Sequence, residues 1–341
     1  MTAFAPGRVN LIGDHTDYTG GYAVPAAIHL GTEVVFFPDS TAGTIELSSS
    51  VQPESARIPL GVPLDPWELG MMLPEWTRFV GAVAAVVKPP FGGKGSITTT
   101  LPVGAGLSSS TSLAIAVALA LGFEGSRYEL VGVCRRAEHA ASGVLGGFLD
   151  QLAITMGRPG SALLVDFADN SIDHIALPEN LDIVIAHCGV SRTLSSSAYM
   201  RRAADCEAAE RAIGPLRMAT PFDVDHIRDP VIRRRARHVV TENARVKIFA
   251  GAIRMGDLKS AGQLMNQSHA SLAMDFEVSI PELDELADRL QSMPGVYGAR
   301  MTGAGFGGCV VALAERDSVK LPLRGIEAWA TYASRGAHRG D

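Results

Sequence analysis

Twelve residues, Leu101-Pro-Val-Gly-Ala-Gly-Leu-Ser-Ser-Ser-Thr-Ser112, constrain this chain more than any other stretch. Ahead of them stand the β-branched residues Ile97, Thr98, Thr99 and Thr100, which favour a strand. Behind them Leu113, Ile115, Val117, Leu119 and Leu121 alternate with alanines, apolar on every side as in a buried helix. The order is therefore strand, glycine turn, helix. Gly104 and Gly106 carry no Cβ to keep a ligand off the backbone, and Ser108, Ser109 and Ser110 offer caps and hydroxyls at the helix start. A helix N-terminus has N–H groups without intrahelical partners and about half a positive charge, so it suits a phosphate. By itself the stretch is equally compatible with a plain turn. No lysine follows the glycines, which excludes the Gly-Lys-Ser/Thr phosphate loop. Ser109 stands where a dinucleotide fingerprint needs its third glycine.

The 341 residues suit about two domains, and 47% hydrophobic residues supply a full core. A net charge of −6 argues against a nucleic-acid or anionic-membrane partner. Cys134, Cys188, Cys206 and Cys309 form no Cys-x-x-Cys pair, so reduced thiols and no zinc site are expected. No secretory signal is visible, and the longest apolar run falls short of the about 20 residues of a membrane span. A cytoplasmic protein is expected.

Near the start, Val9, Leu11 and Ile12 suggest a short strand that Gly13 breaks, followed by the polar cluster Asp14, His15, Thr16, Asp17 before Gly20-Gly21. Asp and His are metal ligands, but the spacing matches no common zinc motif. The same residue types supply the acceptors and donors that a polyhydroxylated ligand requires, or close a turn network. Residues 32–37 and 43–48 are strand-like, and residues 53–72, rich in Pro and Gly, are expected to be irregular. Residues 74–87 place apolar side chains at helical spacing. Residues 128–142 form a helix in which Glu138 lies among Ala137, Ala140 and Ala141, so its carboxylate can face inward and then needs a partner. Asp150, between Leu149 and Gln151-Leu152, is a second carboxylate in an apolar setting. Residues 162–167 and 181–186 are strands, and the passage to a second domain falls near residue 178, giving units 1–178 and 179–341. Ser195 to Ser197 and Ser279-Ile-Pro-Glu282 read as helix starts, the latter as a capping box. The glycines of Thr302-Gly-Ala-Gly-Phe-Gly-Gly308 exclude a packed helix and indicate a second backbone-lined loop.

Three separated motifs now stand together: residues 6–18 (Pro-Gly-Arg-Val-Asn-Leu-Ile-Gly-Asp-His-Thr-Asp-Tyr), Pro102-Val-Gly-Ala-Gly-Leu-Ser-Ser-Ser110 and the glycine loop at 302–308. They resemble the three signatures of the GHMP small-molecule kinases, and the first is similar to that of the members acting on galactose. Ala137-Glu-His139, Asp150-Gln151 and Tyr199 with Arg201-Arg202 extend the match over nearly the whole chain. The resemblance implies an α+β fold of two domains, the first like one found in a ribosomal protein and the second ferredoxin-like. It implies transfer of a phosphoryl group from ATP, with Mg²⁺, to the anomeric hydroxyl of galactose by a monomer. Carried over to this chain, Asp150 is the catalytic carboxylate and Arg8 steadies it. Gly104, Ala105, Gly106, Leu107, Ser108, Ser109 and Ser110 wrap the triphosphate, and Ser110 with Glu138 holds Mg²⁺. Asp14 and His15 face the 6-hydroxyl end of the sugar, Asp17 its 3- and 4-hydroxyls, and Gly147 and Tyr199 complete the pocket. Those relatives usually carry glutamate at the place of Asp14, and Cys-Gly-Ile-Met where this chain has Gly146-Gly-Phe-Leu149. Another sugar, N-acetylgalactosamine or arabinose, or a sensor without turnover, are the alternatives.

Overall fold

The computed structural model describes residues 1–102, 104–143, 146–191 and 195–340, the first two of the last segment by backbone alone. The strands are β1 (Thr2–Asn10), β2 (Tyr22–Ala23), β3 (Pro25–Asp39), β4 (Thr44–Ser49), β5 (Ala56–Pro59), β6 (Gly92–Thr99), β7 (Ser161–Asp166), β8 (Ser171–Ala176), β9 (Leu181–His187), β10 (Val296–Met301), β11 (Cys309–Glu315), β12 (Ala328–Thr331) and β13 (His338–Arg339). The helices are α1 (Pro66–Gly70), α2 (Thr77–Val87), α3 (Ser109–Ala120), α4 (Arg127–Ser142), α5 (Leu149–Met156), α6 (Ser195–Ile213), α7 (Pro221–Asp225), α8 (Pro230–Arg254), α9 (Leu258–Met274) and α10 (Pro281–Gln291).

The first half builds a six-stranded sheet in the order β13-β1-β3-β6-β4-β5, with only β4 and β6 parallel among the described pairs. Helices α2, α3 and α4 cover it. Because α3 is apolar all round, its alanines and Ile115 and Val117 are buried on every side, between Phe36 and Ile97 of the sheet and Leu130 and Cys134 of α4. The second half is a four-stranded antiparallel sheet, β10-β11-β9-β12, under α6, α8, α9 and α10. A shared apolar cluster joins the halves: Leu11 and Leu107 meet Ile185, Val246 and Val311. The strands β2, β7 and β8 form a small third sheet backed by α5.

Two features of this arrangement create the site. In β1 the pairing with β3 shifts register between Pro6 and Arg8. Gly7 at that irregularity has no room for a side chain: a Cβ there would lie 2.5 Å from a Leu101 methyl and 2.8 Å from the Leu107 carbonyl. The bulge re-aims the next residue, so Arg8 donates its backbone N–H to that same carbonyl at 3.2 Å and turns its side chain toward the glycine loop. The second feature is the end of the chain. Sequence order puts it in the second unit, yet β13 pairs with β1 and Ala333 bridges Ile28, so residues 333–339 join the first sheet.

Other expectations change in detail. Residues 53–72 are not irregular throughout, for they contain β5 and α1, the latter capped by Asp65 with proline at its start. β8 escapes the pattern reading because Ile175 is the one buried residue of its six, too little for an apolar alternation. Ser279 caps nothing: Ile280 takes the N-cap of α10, and the Ser279 hydroxyl donates to Asp284 at 2.5 Å. The side chains of Ser195 and Ser196 at the start of α6 lie outside the described residues. Among the described residues no helix is long and apolar enough to cross a membrane.

Candidate active site

Asp150 sits in the first turn of α5, where the N-cap residue, Phe148, offers no side-chain cap. Its two carboxylate oxygens have separate donors. Arg8 Nε lies 2.7 Å from Oδ1, and the Ser108 hydroxyl donates to Oδ2 at 2.6 Å. Arg8 Nη1 also donates to the Gly106 carbonyl at 2.8 Å, so one guanidinium ties the carboxylate to the glycine loop. Arg8 is only 5% exposed. Charge-assisted bonds of this kind are short and strong and fix the geometry of the carboxylate.

The loop itself turns on Gly104 and Gly106, both at φ 76°, with Ala105 and Leu107 anchored in the core shared by the two halves. The side chains of Ala105 and Leu107 are thus unavailable to a ligand, and their backbone is what the loop presents. Ser108 is the N-cap of α3 but adopts φ 60° and makes no side-chain cap. Its hydroxyl is engaged by Asp150, which leaves the first N–H groups of α3 for an incoming anion.

Glu138 of α4 faces the same place, as its alanine neighbours suggest. Thr111 donates to its Oε1 at 2.8 Å and Gln151 to its Oε2 at 2.5 Å, and Ser110 also bonds to it. Burial, with the Asp150 charge nearby, pushes Glu138 up to about 7, against these hydrogen bonds. A carboxylate so buried, beside a serine hydroxyl and short of a cation, fits a divalent ion. Among the described residues, however, no group of three or more His, Cys, Asp or Glu forms a ready metal cage.

A cleft of about 350 Å³ brings these groups together with the first motif: Arg8, Asp14, His15, Asp17, Ser110, Glu138, Gly147, Asp150 and Tyr199 all line it. Gly104, Ala105, Gly106, Leu107, Ser108 and Ser109 are outside its wall. Asp17 is raised to about 7 by burial and by Asp150 and Asp14. Gly147 is required beside it, since a Cβ there would stand 1.8 Å from Asp17 Oδ2.

Asp14 and His15 reach the cleft with polar atoms already engaged. Asp14 Oδ1 accepts the Gly303 N–H at 3.1 Å, and Oδ2 lies 2.7 Å from Arg300 Nη2. Burial raises the Asp14 carboxyl, and Arg300 is the main opposing influence. Burial likewise lowers His15 to about 3, so the ring is neutral. Its Nε2 lies 3.2 Å from the Ala304 carbonyl and Nδ1 3.0 Å from the Tyr18 hydroxyl, which sets Nε2 as the donor and Nδ1 as the acceptor. Phe276 packs on the ring at 4.8 Å.

Sequence reasoning missed several lining or supporting residues. Arg135 reaches the cleft from α4, held over the Phe148 ring at 4.1 Å and by the Gly146 carbonyl at 3.1 Å. Thr111, Gln151, Gly303 and Ala304 also line the cleft. Arg300, fully buried in β10, left a signal: an arginine inside an otherwise uncharged strand requires a buried counter-charge.

The geometry gathers Asp150, Glu138, Arg8 and the start of α3 in one cleft, and comparison with known proteins shows the family of the chain. Residues 1–38 match the galactokinase galactose-binding signature, 78–158 the GHMP kinases N terminal domain, and 249–324 the GHMP kinases C terminal region. The chain is 39% identical to the galactokinase of Bos taurus and 38% to that of Homo sapiens, in each case over 96% of this chain and 87% of the other. The crystal structure of Lactococcus lactis galactokinase complexed with galactose superposes with a TM-score of 0.90 at 33% identity, covering 99% of this chain and 94% of that one. A Methanococcus jannaschii mevalonate kinase, at 19% identity and TM-score 0.73 over 98% of each chain, shares the fold. The chain belongs to the GHMP kinase family, with its two-domain α+β fold. Within that family it falls among the galactokinases.

Proposed function

We infer that this chain transfers the γ-phosphoryl group of ATP to the anomeric hydroxyl of galactose, giving galactose 1-phosphate and ADP. The observation that carries the mechanism is the Asp150 carboxylate, held at 2.7 Å by Arg8 and at 2.6 Å by Ser108 in one cleft with Glu138 and the start of α3.

Phosphoryl transfer passes through a loose transition state, so positioning and charge stabilisation dominate catalysis. Asp150 accepts the proton of the anomeric hydroxyl as that oxygen bonds to phosphorus and the bond to ADP breaks. Arg8, bound to Asp150 and to the Gly106 carbonyl, orients the carboxylate and stabilises the negative charge that develops on the transferring group. The glycine loop from Gly104 to Ser110 and the uncapped N–H groups of α3 take the triphosphate, replacing the lysine of other phosphate loops. Ser110 and Glu138 would hold Mg²⁺, which when bound supplies neutralisation of phosphate charge. Asp17 takes the 3- and 4-hydroxyls of the sugar and the Asp14–His15 side its 6-hydroxyl end, with Gly147 and Tyr199 closing the pocket. We assign the nucleotide loop to a unit of residues 1–178 and take the enzyme to act as a cytoplasmic monomer, which suits its four free thiols.

ADP release from Mg-ATP, followed with galactose, N-acetylgalactosamine and arabinose, tests the reading. Turnover fastest with galactose is expected. Sugar binding without any turnover would mean a sensor, and a preference for another sugar would move the substrate.

A further inference from the structure

We propose that a second cavity, at the carboxyl end of α5, binds a phosphoryl-bearing small molecule. It measures about 400 Å³ and is lined by Arg127, Arg158, His174 and Arg335 together with the backbone turn at Gly157. No carboxylate is among its described lining residues. In a chain of net charge −6, three guanidiniums around one concavity with no acid among them form a local reversal of sign.

The fold assembles the four groups deliberately far from one another in sequence. Gly336 donates its N–H to the Gly157 carbonyl at 2.8 Å, and Gly160 to the Ala333 carbonyl at 3.0 Å. These bonds run residues 157–160 alongside residues 333–336 and bring Arg158 and Arg335 to one cavity. Arg127 Nη1 donates to the Thr155 carbonyl at 3.1 Å, and His174 Nε2 lies 2.9 Å from the Met156 carbonyl. The carbonyls at the end of α5, which would repel an anion, are thereby covered by cationic or donor groups. Asp173, the nearest acid along the chain to His174, is paired with Arg254 at 2.5 Å.

A purely structural account explains Arg127 and His174 as partners of those carbonyls. It leaves Arg158 and Arg335, whose guanidiniums are exposed and have no ion-pair or hydrogen-bond partner among the described residues. A phosphoryl group meets both, since guanidiniums bind its oxygens in pairs. The cavity shares no lining residue with the catalytic cleft: Asp150 lies near the opposite end of the eight-residue α5, about 9 Å along the axis from Met156 at 1.5 Å per residue.

The test reads the cavity directly, independently of sugar kinase activity. The imidazole NMR signal of His174, assigned by its loss in His174→Gln, is followed while sodium pyrophosphate or glycerol 2-phosphate is added at constant ionic strength. A saturable shift is expected, and in the Arg158→Gln/Arg335→Gln variant its half-point rises by about tenfold or more. Turnover by that variant stays within about twofold of wild type, because neither residue reaches the catalytic cleft. A shift with pyrophosphate alone assigns the site to polyphosphates, and a shift with the ester to phosphate monoesters; either supports the proposal. A signal that neither probe moves, that moves equally in the double variant, or that sodium chloride moves as far, overturns it.

Discussion

Replacing Arg300 by methionine tests how the sugar pocket is built. Arg300 is fully buried in β10, and its guanidinium is 2.7 Å from Asp14, itself only 4% exposed. Methionine approximates the length of the side chain, so packing changes little and the charge is what goes. Breaking a buried pair by removing one partner costs about 3–5 kcal/mol. Unfolding entropy of about 2.1 cal/mol/K per residue over 341 residues gives about 0.7 kcal/mol per degree, hence a melting point lower by about 4–7 °C. Asp14 already has its carboxyl raised by burial, with Arg300 as the chief restraint. Without that restraint the folded protein holds the Asp14 proton to higher pH than the unfolded chain does. Stability of the variant therefore falls as pH rises through the new folded value, and its deficit against wild type is larger at pH 8 than at pH 5. The companion Arg300→Met/Asp14→Asn removes the stranded charge and recovers about 1–3 kcal/mol of stability. Melting curves of the wild type, both single variants and the double variant at the two pH values decide the matter. A double variant no more stable than Arg300→Met, or a deficit independent of pH, refutes the reasoning.

Further predictions concern the catalytic and sugar sides of the cleft. Asp150→Asn preserves shape and one acceptor but loses the base, so kcat falls by about 10²–10⁴ while galactose affinity is spared; retention of more than about a tenth of the rate contradicts the role given to Asp150. Gly147→Ala puts a methyl against the Asp17 carboxylate, 1.8 Å away before adjustment, and raises the KM for galactose by about tenfold or more with a smaller effect on kcat. An unchanged KM would show that Asp17 does not meet the sugar. Asp17, raised to about 7 by burial and by Asp150 and Asp14, binds its proton more tightly folded than unfolded. Its contribution therefore lowers stability as pH climbs from about 4 to 7, and Asp17→Asn gains on wild type in melting point over that interval. A difference that does not change with pH would count against a raised Asp17.

The strand–turn–helix around Gly106 was legible because most residues there answer to a local rule: glycines permit the positive φ, and a run of alanine with branched apolar residues can only be buried. Ser108 does not, for it adopts φ 60°, makes no side-chain cap and gives its hydroxyl to Asp150. The apolar neighbours of Glu138 and Asp150 marked both as candidates for an inward carboxylate, but only the family resemblance distinguished Glu138 from an ordinary solvated helix glutamate. The bulge at Gly7 was not, because nothing local distinguishes it from any glycine in a strand; only the approach of Leu101 and Leu107 makes it necessary. The engagement of Asp14 by Arg300 and Gly303 depends on a pairing across 286 and 289 residues of chain, which no local pattern encodes. Ser279 shows the converse failure: a capping-box spacing was present, and Asp284 drew the hydroxyl away.

A crystal structure of the chain with galactose, Mg²⁺ and a non-hydrolysable ATP analogue tests the central claim most directly. The account predicts phosphate oxygens on the first N–H groups of α3, the terminal phosphate beside Arg8, and the anomeric oxygen about 2.6–3.2 Å from the Asp150 carboxylate. A nucleotide seated in another cleft, or an Asp150 carboxylate turned away from the sugar and the terminal phosphate, would contradict it.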